Sequence, residues 1–560
     1  MLRQTGILTI ITAAFLAAQT QPEGKLDGRL VNSVTNEPVR KAKVSLHPSD
    51  PSKTVYTVES DAEGKFHLDK LDPGRYTLQG AKAGFVAGWY GSTRPDGPGS
   101  TIELKDGKSS VSELLLKLIP QGVIAGRVLD DESEPVAGVM VLALHSVYWN
   151  GRRQLIPAAD GAQMQTNDLG EYRLSNLPPG RYYVQSSAQK MMNMQIGGGP
   201  GAEKPQGDAP ELGLVPVFFP NAPDASSASP VEVGPGQEVR GIDLRLKKER
   251  VMRVSGKIMD ASTGEPLKSG VVMLYKRSSG VVSVVPTAML VVQGGKGEFE
   301  LHGVAPGEYN VMAMSMSDPQ SMKMSMSRLD VGDRPMKDVV LNVGAGADVQ
   351  VSAQLAAGAK GDLGNLRITL QEDDNPMASI ATVQLGKDAS GVMKRVSPDK
   401  YKIMVGGIPP DDYLLAARMG RTDVLENGFD LRNGVAGPLE LTIGGPAATL
   451  SGTLKNDNGE LVPGAIVTVV AKDSKQRTDM SHSATTDQNG RFLIAGIVPA
   501  EYRVYGWEDI EAGAGEDEEF RKPFEKFRAE VDLSNVSQPA APVELKLITK
   551  AMVLDAQSRK

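Results

Sequence analysis

A nineteen-residue pattern occurs four times without a gap: SDAEGKFHLDKLDPGRYTL from Ser60, TNDLGEYRLSNLPPGRYYV from Thr166, QGGKGEFELHGVAPGEYNV from Gln293 and TDQNGRFLIAGIVPAEYRV from Thr486. In each copy a glycine (Gly64, Gly170, Gly297, Gly490) is followed two residues on by an aromatic ring (Phe66, Tyr172, Phe299, Phe492). Four residues on comes an aliphatic side chain (Leu68, Leu174, Leu301, Ile494). A period of two places these side chains on one face of a strand. The Asp/Asn-rich residues before the glycine suit a hairpin turn, because Asn, Asp and Gly tolerate positive φ. Pro73-Gly74, Pro179-Gly180 and Pro306-Gly307 have the chemistry of a type II turn, and Pro499-Ala500 departs from it. Tyr76/Leu78, Tyr182/Val184, Tyr309/Val311 and Tyr502/Val504 then begin the next alternating strand.

Upstream of each copy lies a matching strand-turn-strand opener, LDGRLVNSVTNEPVRKAKVSL, IAGRVLDDESEPVAGVMVLAL, VSGKIMDASTGEPLKSGVVML or LSGTLKNDNGELVPGAIVTVV. The opener glycines Gly28 and Gly126 stand 98 residues apart, and Gly256 and Gly452 stand twice that apart. A hidden unit should therefore fill the gap, and Tyr401/Ile403 and Tyr413/Leu415 echo the strand signature there. The expected fold class is all-β: about five tandem antiparallel β-sandwiches preceded by a signal peptide. The expected units are 24–118, 119–249 with a long Gly/Pro-rich loop over 190–216, 250–345, a degenerate 346–445, and 446–549, with 550–560 as a tail.

Composition narrows the function. The 560 residues carry 61 Lys and Arg against 68 Asp and Glu, a net charge of −7, which supplies no basic stripe for nucleic acid. With 61 glycines, 36 prolines and 5% aromatics, the chain suits short strands joined by tight turns. MLRQTGILTIITAAFLAAQTQPEG has one early Arg and an apolar run from Ile7 to Ala18, the layout of a secretory signal peptide over 1–18. The expected location is periplasmic, outer-membrane-associated or extracellular. The absence of Cys excludes a disulfide framework and a lipidated Cys, and no transmembrane segment is expected in the mature chain.

The motifs GRVLD, EPVAG, TTDQNGRF and LPPGRY resemble those of carboxypeptidase regulatory-like domains. These are transthyretin-like sandwiches related to starch-binding-like and collagen-adhesin B-type modules. The resemblance implies accessory, stalk or binding modules of exported bacterial proteins. It does not bring the enzyme with it. A zinc carboxypeptidase needs clustered His and Glu, whereas His47, His67, His145, His302 and His482 form no H-x-x-E, H-E-x-x-H or H-x-H motif. No catalytic residue and no cofactor is expected.

Three kinds of candidate site remain. The acidic turns Asp61/Glu63, Asp457/Asn458 and Asp487/Asn489 lack the full acidic ladder of a calcium loop and read as hairpin chemistry. Trp89, Tyr90, Tyr148, Trp149, Phe218, Phe219 and Trp507 lie beside strand ends or loops, with Arg152 and Arg153 close to Trp149. Such rings are either platforms for a glycan or other cell-surface polymer, or plugs between neighbouring sandwiches. Met312, Met314, Met316 and then Met322, Met324, Met326 form two i, i+2 ladders. They would either bind soft Cu(I) or fill a domain interface. The segment from Glu508 to Phe520 reads as a solvated acidic turn before a short helix at 520–528. The expected whole is a non-enzymatic binding or scaffold protein, beads on a line, with a glycan, a surface polymer or another envelope protein as partner. A structural stalk and a soft-metal carrier are the alternatives.

Overall fold

The computed structural model describes residues 24–558 apart from 50–52, 93–98, 107–108, 150–151, 159–161, 191–210, 278–280, 284, 317–322, 345, 373–380, 433, 474–476 and 488. The signal-peptide expectation over 1–18 lies outside the described residues. Two compact units divide at about residue 118.

The first unit is one sandwich. One sheet places Gly24–Asn32 between Lys65–Leu71 and Ser110–Pro120, and the other runs Tyr56–Glu59, Lys43–Pro48, Gly74–Ala81 and Gly88–Trp89. Alternation puts Leu26, Leu30, Val44, Leu46, Leu68, Tyr76, Leu78 and Leu116 in a core less than 5% exposed.

The second unit holds four separate hydrophobic cores, centred on residues 124–246, 252–343, 349–443 and 448–545. Each lies between sheets of the same plan, including the third of them, where the glycines of the motif are missing. The all-β tandem-sandwich class holds throughout the described residues. In the last sandwich Val543–Ile548 pairs in parallel with strands of both sheets, Ala448–Lys455 and Glu501–Trp507, and so joins them. The tail is a helix, Lys550–Ser558, that buries Val553.

The repeat motif works through the same contacts in the first, second and fifth sandwiches and through only the glycine–ring pair in the third, where Gln293 and Gly294 replace the hydroxyl and the turn cap. The opener glycine faces the motif ring across the ladder, as in Gly28↔Phe66 and Gly452↔Phe492. A Cβ at either glycine would strike the ring, so only glycine lets the ring lie flat on the neighbouring strand. The first carboxylate or amide of the turn caps backbone N–H groups two and four residues on, as Asp61 Oδ1 does for Glu63 (3.0 Å) and Lys65 (2.7 Å). The hydroxyl just before it pins the opener loop: Thr486 Oγ1 donates to Val462 O (2.7 Å) and accepts from Ala465 N (2.9 Å).

One expectation is corrected. Gly74 and Gly180 are not left-handed, so their Pro-Gly pairs do not form type II turns. The positive φ lies six residues before the tyrosine instead, at Lys70 (55°), Asn176 (61°), Gly303 (71°), Arg395 (54°) and Gly496 (75°). At each of these places the ladder with the opener strand shifts register, for instance from Leu26↔Leu68 to Gly24↔Leu71, which marks a β-bulge. The bulge bends the strand into the corner from which the tyrosine strand departs.

Candidate functional site

The aromatic residues singled out by sequence fall in three places. In the first unit Trp89 sits on a short edge strand paired with Gln79, half-buried, with its ring 5.4 Å from that of His47. Tyr90 is also half-buried, and its N–H donates to Leu78 O at 2.8 Å.

In the second unit the hairpin of Val139–Trp149 and Arg152–Pro157 docks on the last sandwich. Tyr148 N donates to Ala512 O at 2.7 Å, and the Tyr148 ring meets Phe520 edge-on at 5.8 Å. Phe520 in turn packs on Trp507 (5.6 Å) and Phe524 (6.1 Å), and Trp507 stacks on Tyr505 (5.7 Å). Arg153 donates to Ser146 Oγ (2.8 Å) and to Tyr183 Oη, and its guanidinium lies 3.8 Å from Glu511. Burial, and then the Glu511 carboxylate, pushes the Tyr148 phenol up to about 12. Trp149, at the hairpin tip, is 40% exposed, and Arg152 opens the returning strand.

Two of the expected ring platforms are therefore corrected. Trp507 is fully buried, because its ring fills the cluster under the 508–527 segment, and Phe218 is 5% exposed among Met140, Leu142, Leu144 and Tyr183. Neither presents a face to a polymer. Phe219 is half-buried against the core of its own sandwich. The acidic segment is corrected as well. Ala514, Gly515, Phe520 and Phe524 are buried there, so it is a docking platform rather than a solvated turn. Residues of the second sandwich thus touch the fifth, and the picture of beads meeting only their neighbours does not hold within this unit. A small cavity of about 80 Å³ lies where Phe218, Gln185 and Asp224 of the second sandwich face Lys276 and Tyr309 of the third.

The methionines form the third place. Tyr309, Val311 and Ala313 face the core, so Met312 and Met314 lie on the outer face of their strand. Register pairs Met312 with Met326 and Met314 with Met324. Met273 faces Met312 on the other side and Met289 lies beyond it, completing a thioether row across four strands that sequence spacing had not revealed. Met316 is 56% exposed and Met322 lies outside the described residues. Among the described residues no three His, Cys, Asp or Glu side chains gather as a metal site; Asp61 and Asp487 accept backbone N–H groups of their own turns, and in the Asp457/Asn458 turn Asn456 does so. No helix among the described residues is long and apolar enough to cross a membrane.

The sequence profile of the carboxypeptidase regulatory-like domain matches residues 25–111 and 449–506. No curated protein matches the chain. Among solved structures, the minor pilin GBS52 of Streptococcus agalactiae is 14% identical, with 40% of this chain and 96% of that one covered at a TM-score of 0.22. The pilus protein RrgB of Streptococcus pneumoniae is 9% identical, covering 77% and 98% at 0.14. The TIE protein of Bacillus anthracis is 14% identical, covering 72% and 67% at 0.15. Scores this low carry no weight for function.

Proposed function

We propose that this chain, with carboxypeptidase regulatory-like domains at its first and last sandwiches, is an exported, non-catalytic scaffold of the cell envelope. Within its second unit it holds the sandwiches in fixed relation, and it offers outer loops to another envelope protein. The observation that carries this reading is the seam in which Tyr148 of the second sandwich packs on Phe520 over the buried Trp507. Aromatic side chains contribute large burial, and a seam built from them opposes the relative motion that small polar interdomain contacts permit. The test uses the natural absence of cysteine. Spin labels at Met164→Cys and Leu493→Cys, positions 46% and 68% exposed on the second and fifth sandwiches, should give one narrow distance distribution. A broad distribution in the intact chain would sink the rigid-scaffold reading.

A second reading is favoured by Trp89. Its half-exposed ring beside His47 offers a shelf with hydrogen-bonding edges, the chemistry that a saccharide ring takes. Glycan-array binding that disappears in Trp89→Ala would support it, and an array without hits for the wild-type chain would end it.

A further inference from the structure

The cavity of about 80 Å³ between the second and third sandwiches is a cleft whose two walls are tied together by one sheet. Val281–Ser283 of the third sandwich pairs in parallel with Arg152–Pro157 of the second, two residues before Val285, which lines the cleft. The walls are mainly apolar, with Val217 and Pro223 on one side and Val285, Ala288 and Val304 on the other. Its mouth is open to solvent at Lys247 and Glu249. Register places these two directly across from Val215 and Gly213, on one face of their strand.

Gln185 also lines the cleft and is 3% exposed. Tyr182 and Val184 of its strand face the core of the second sandwich, so alternation sends Gln185, with Tyr183, to the outer face, where the third sandwich stands. The Gln185 Oε1 is buried without a hydrogen-bond partner, and such an acceptor costs free energy until a donor reaches it. Other polar groups of the cleft are spent within the fold. Tyr309 Oη donates to Ala305 O (2.7 Å) and Thr287 Oγ1 to Leu274 O (3.1 Å). Asp224 Oδ1 accepts from the hydroxyls of Ser226 (2.6 Å) and Ser227 (2.9 Å), and Asn221 Oδ1 accepts from Arg245 N (2.7 Å). The ammonium groups of Lys247 and Lys276 and the carboxylate of Glu249 are in no ion pair among the described residues.

We propose that this cleft binds a free α-amino acid with an aliphatic side chain, of about the size of leucine. The space holds about five waters at roughly 15 Å³ each, enough for an aliphatic side chain against the apolar walls. The charged head group then lies among Gln185, Lys247, Glu249 and Lys276. A simple carboxylate would answer the two lysines and leave Glu249 facing a like charge, and a simple amine would do the reverse. A zwitterion satisfies both signs, and its ammonium supplies the donor that Gln185 Oε1 lacks.

The proposal does not rest on the scaffold reading and is tested on the intact chain. Calorimetric titration with L-leucine at low ionic strength should show one saturable site with a Kd below about 1 mM. 4-Methylpentanoate, which lacks the ammonium, and leucinamide, which lacks the carboxylate, should each bind roughly tenfold more weakly. Glu249→Gln, and separately Lys276→Met, should weaken leucine binding by a similar factor. Lys248→Gln alters the next residue on the opposite face, which pairs with Asp131 at 3.2 Å, and should leave binding unchanged. In the wild-type chain leucine should shift the side-chain amide resonances of Gln185 and leave those of the equally buried Gln154 in place, a readout independent of any variant's folding. A cleft that holds only water would give neither heat nor shift up to about 10 mM leucine, which overturns the proposal. Equal affinity for 4-methylpentanoate, or equal loss in Lys248→Gln and Glu249→Gln, overturns it as well.

Discussion

The hydroxyl of Tyr401 donates to the carbonyl of Ser397, four residues earlier, at 2.8 Å. The same bond joins Tyr76 to Asp72 (2.7 Å), Tyr309 to Ala305 (2.7 Å), Tyr502 to Val498 (2.7 Å) and Tyr182 to Pro178. All five sandwiches therefore carry one tyrosine corner, including the fourth, whose glycines have gone. Burial pushes Tyr76 and Tyr309 up to about 12, so the phenols stay protonated donors across the physiological range.

Replacing the corner tyrosine by phenylalanine removes one hydrogen bond, leaving the part-buried carbonyl without its phenol partner. Tyr401→Phe should lower the stability of its sandwich by about 1 kcal/mol. Hydrogen exchange of the intact chain should show faster opening of amides in 346–445 and no change elsewhere. Equal protection in variant and wild type would leave the corner without an energetic role.

Gly513 is left-handed at φ 74°, and a Cβ there would run into the carbonyl of Tyr148. Gly513→Val should undock the second sandwich from the fifth while both stay folded. The label pair at Met164 and Leu493 then gives a broad distribution, and Tyr148 loses its burial. An unchanged distance would show that the seam does not depend on this approach.

Acrylamide quenching separates the three tryptophans. Single-tryptophan chains retaining Trp149 should quench readily, those retaining Trp507 should resist, and Trp89 should fall between, in keeping with 40% exposure, full burial and half-burial. A readily quenched Trp507 would contradict the ring cluster.

Lys323 Nζ lies 2.6 Å from Asp260 Oδ2, and this bond, helped by the Ser262 hydroxyl, holds the Asp260 carboxyl down to about 2. A depressed carboxylate contributes stability above its unfolded value, near 4, and that contribution is lost as pH falls through about 2. Carboxyl NMR titration should place Asp260 near 2 in the wild type and return it toward the ordinary range in Lys323→Met. The variant should also flatten the acid-induced loss of stability of the third sandwich below pH 4.

Much of the architecture was readable because each motif residue acts within its own sandwich. Phe66 on Gly28 and Asp61 on its own turn are local relations with fixed spacing, and Tyr401 gave away the fourth unit through a two-residue alternation. The bulge was hidden because Lys70, Asn176, Gly303, Arg395 and Gly496 share a backbone angle and no side-chain type, and the nearby Pro-Gly pair offered a more familiar turn. The seam between Tyr148 and Phe520 was hidden for another reason. Periodicity reports which face of a strand is buried and says nothing about a partner more than three hundred residues away.

In the first, third, fourth and fifth sandwiches the opening strand lies parallel and adjacent to the closing one: Gly24–Asn32 beside Ser110–Pro120, Lys247–Asp260 beside Met336–Val343, Ala347–Leu355 beside Leu439–Gly444, and Ala448–Lys455 beside Val543–Ile548. Tension along the chain pulls such a pair in opposite directions along the strand axis. The ladder is then loaded in shear, with its bonds sharing the force instead of opening one at a time. Single-molecule stretching should accordingly give tall, separate rupture peaks for these sandwiches; low, merged ones would refute it. A polypeptide built this way is suited to bearing load.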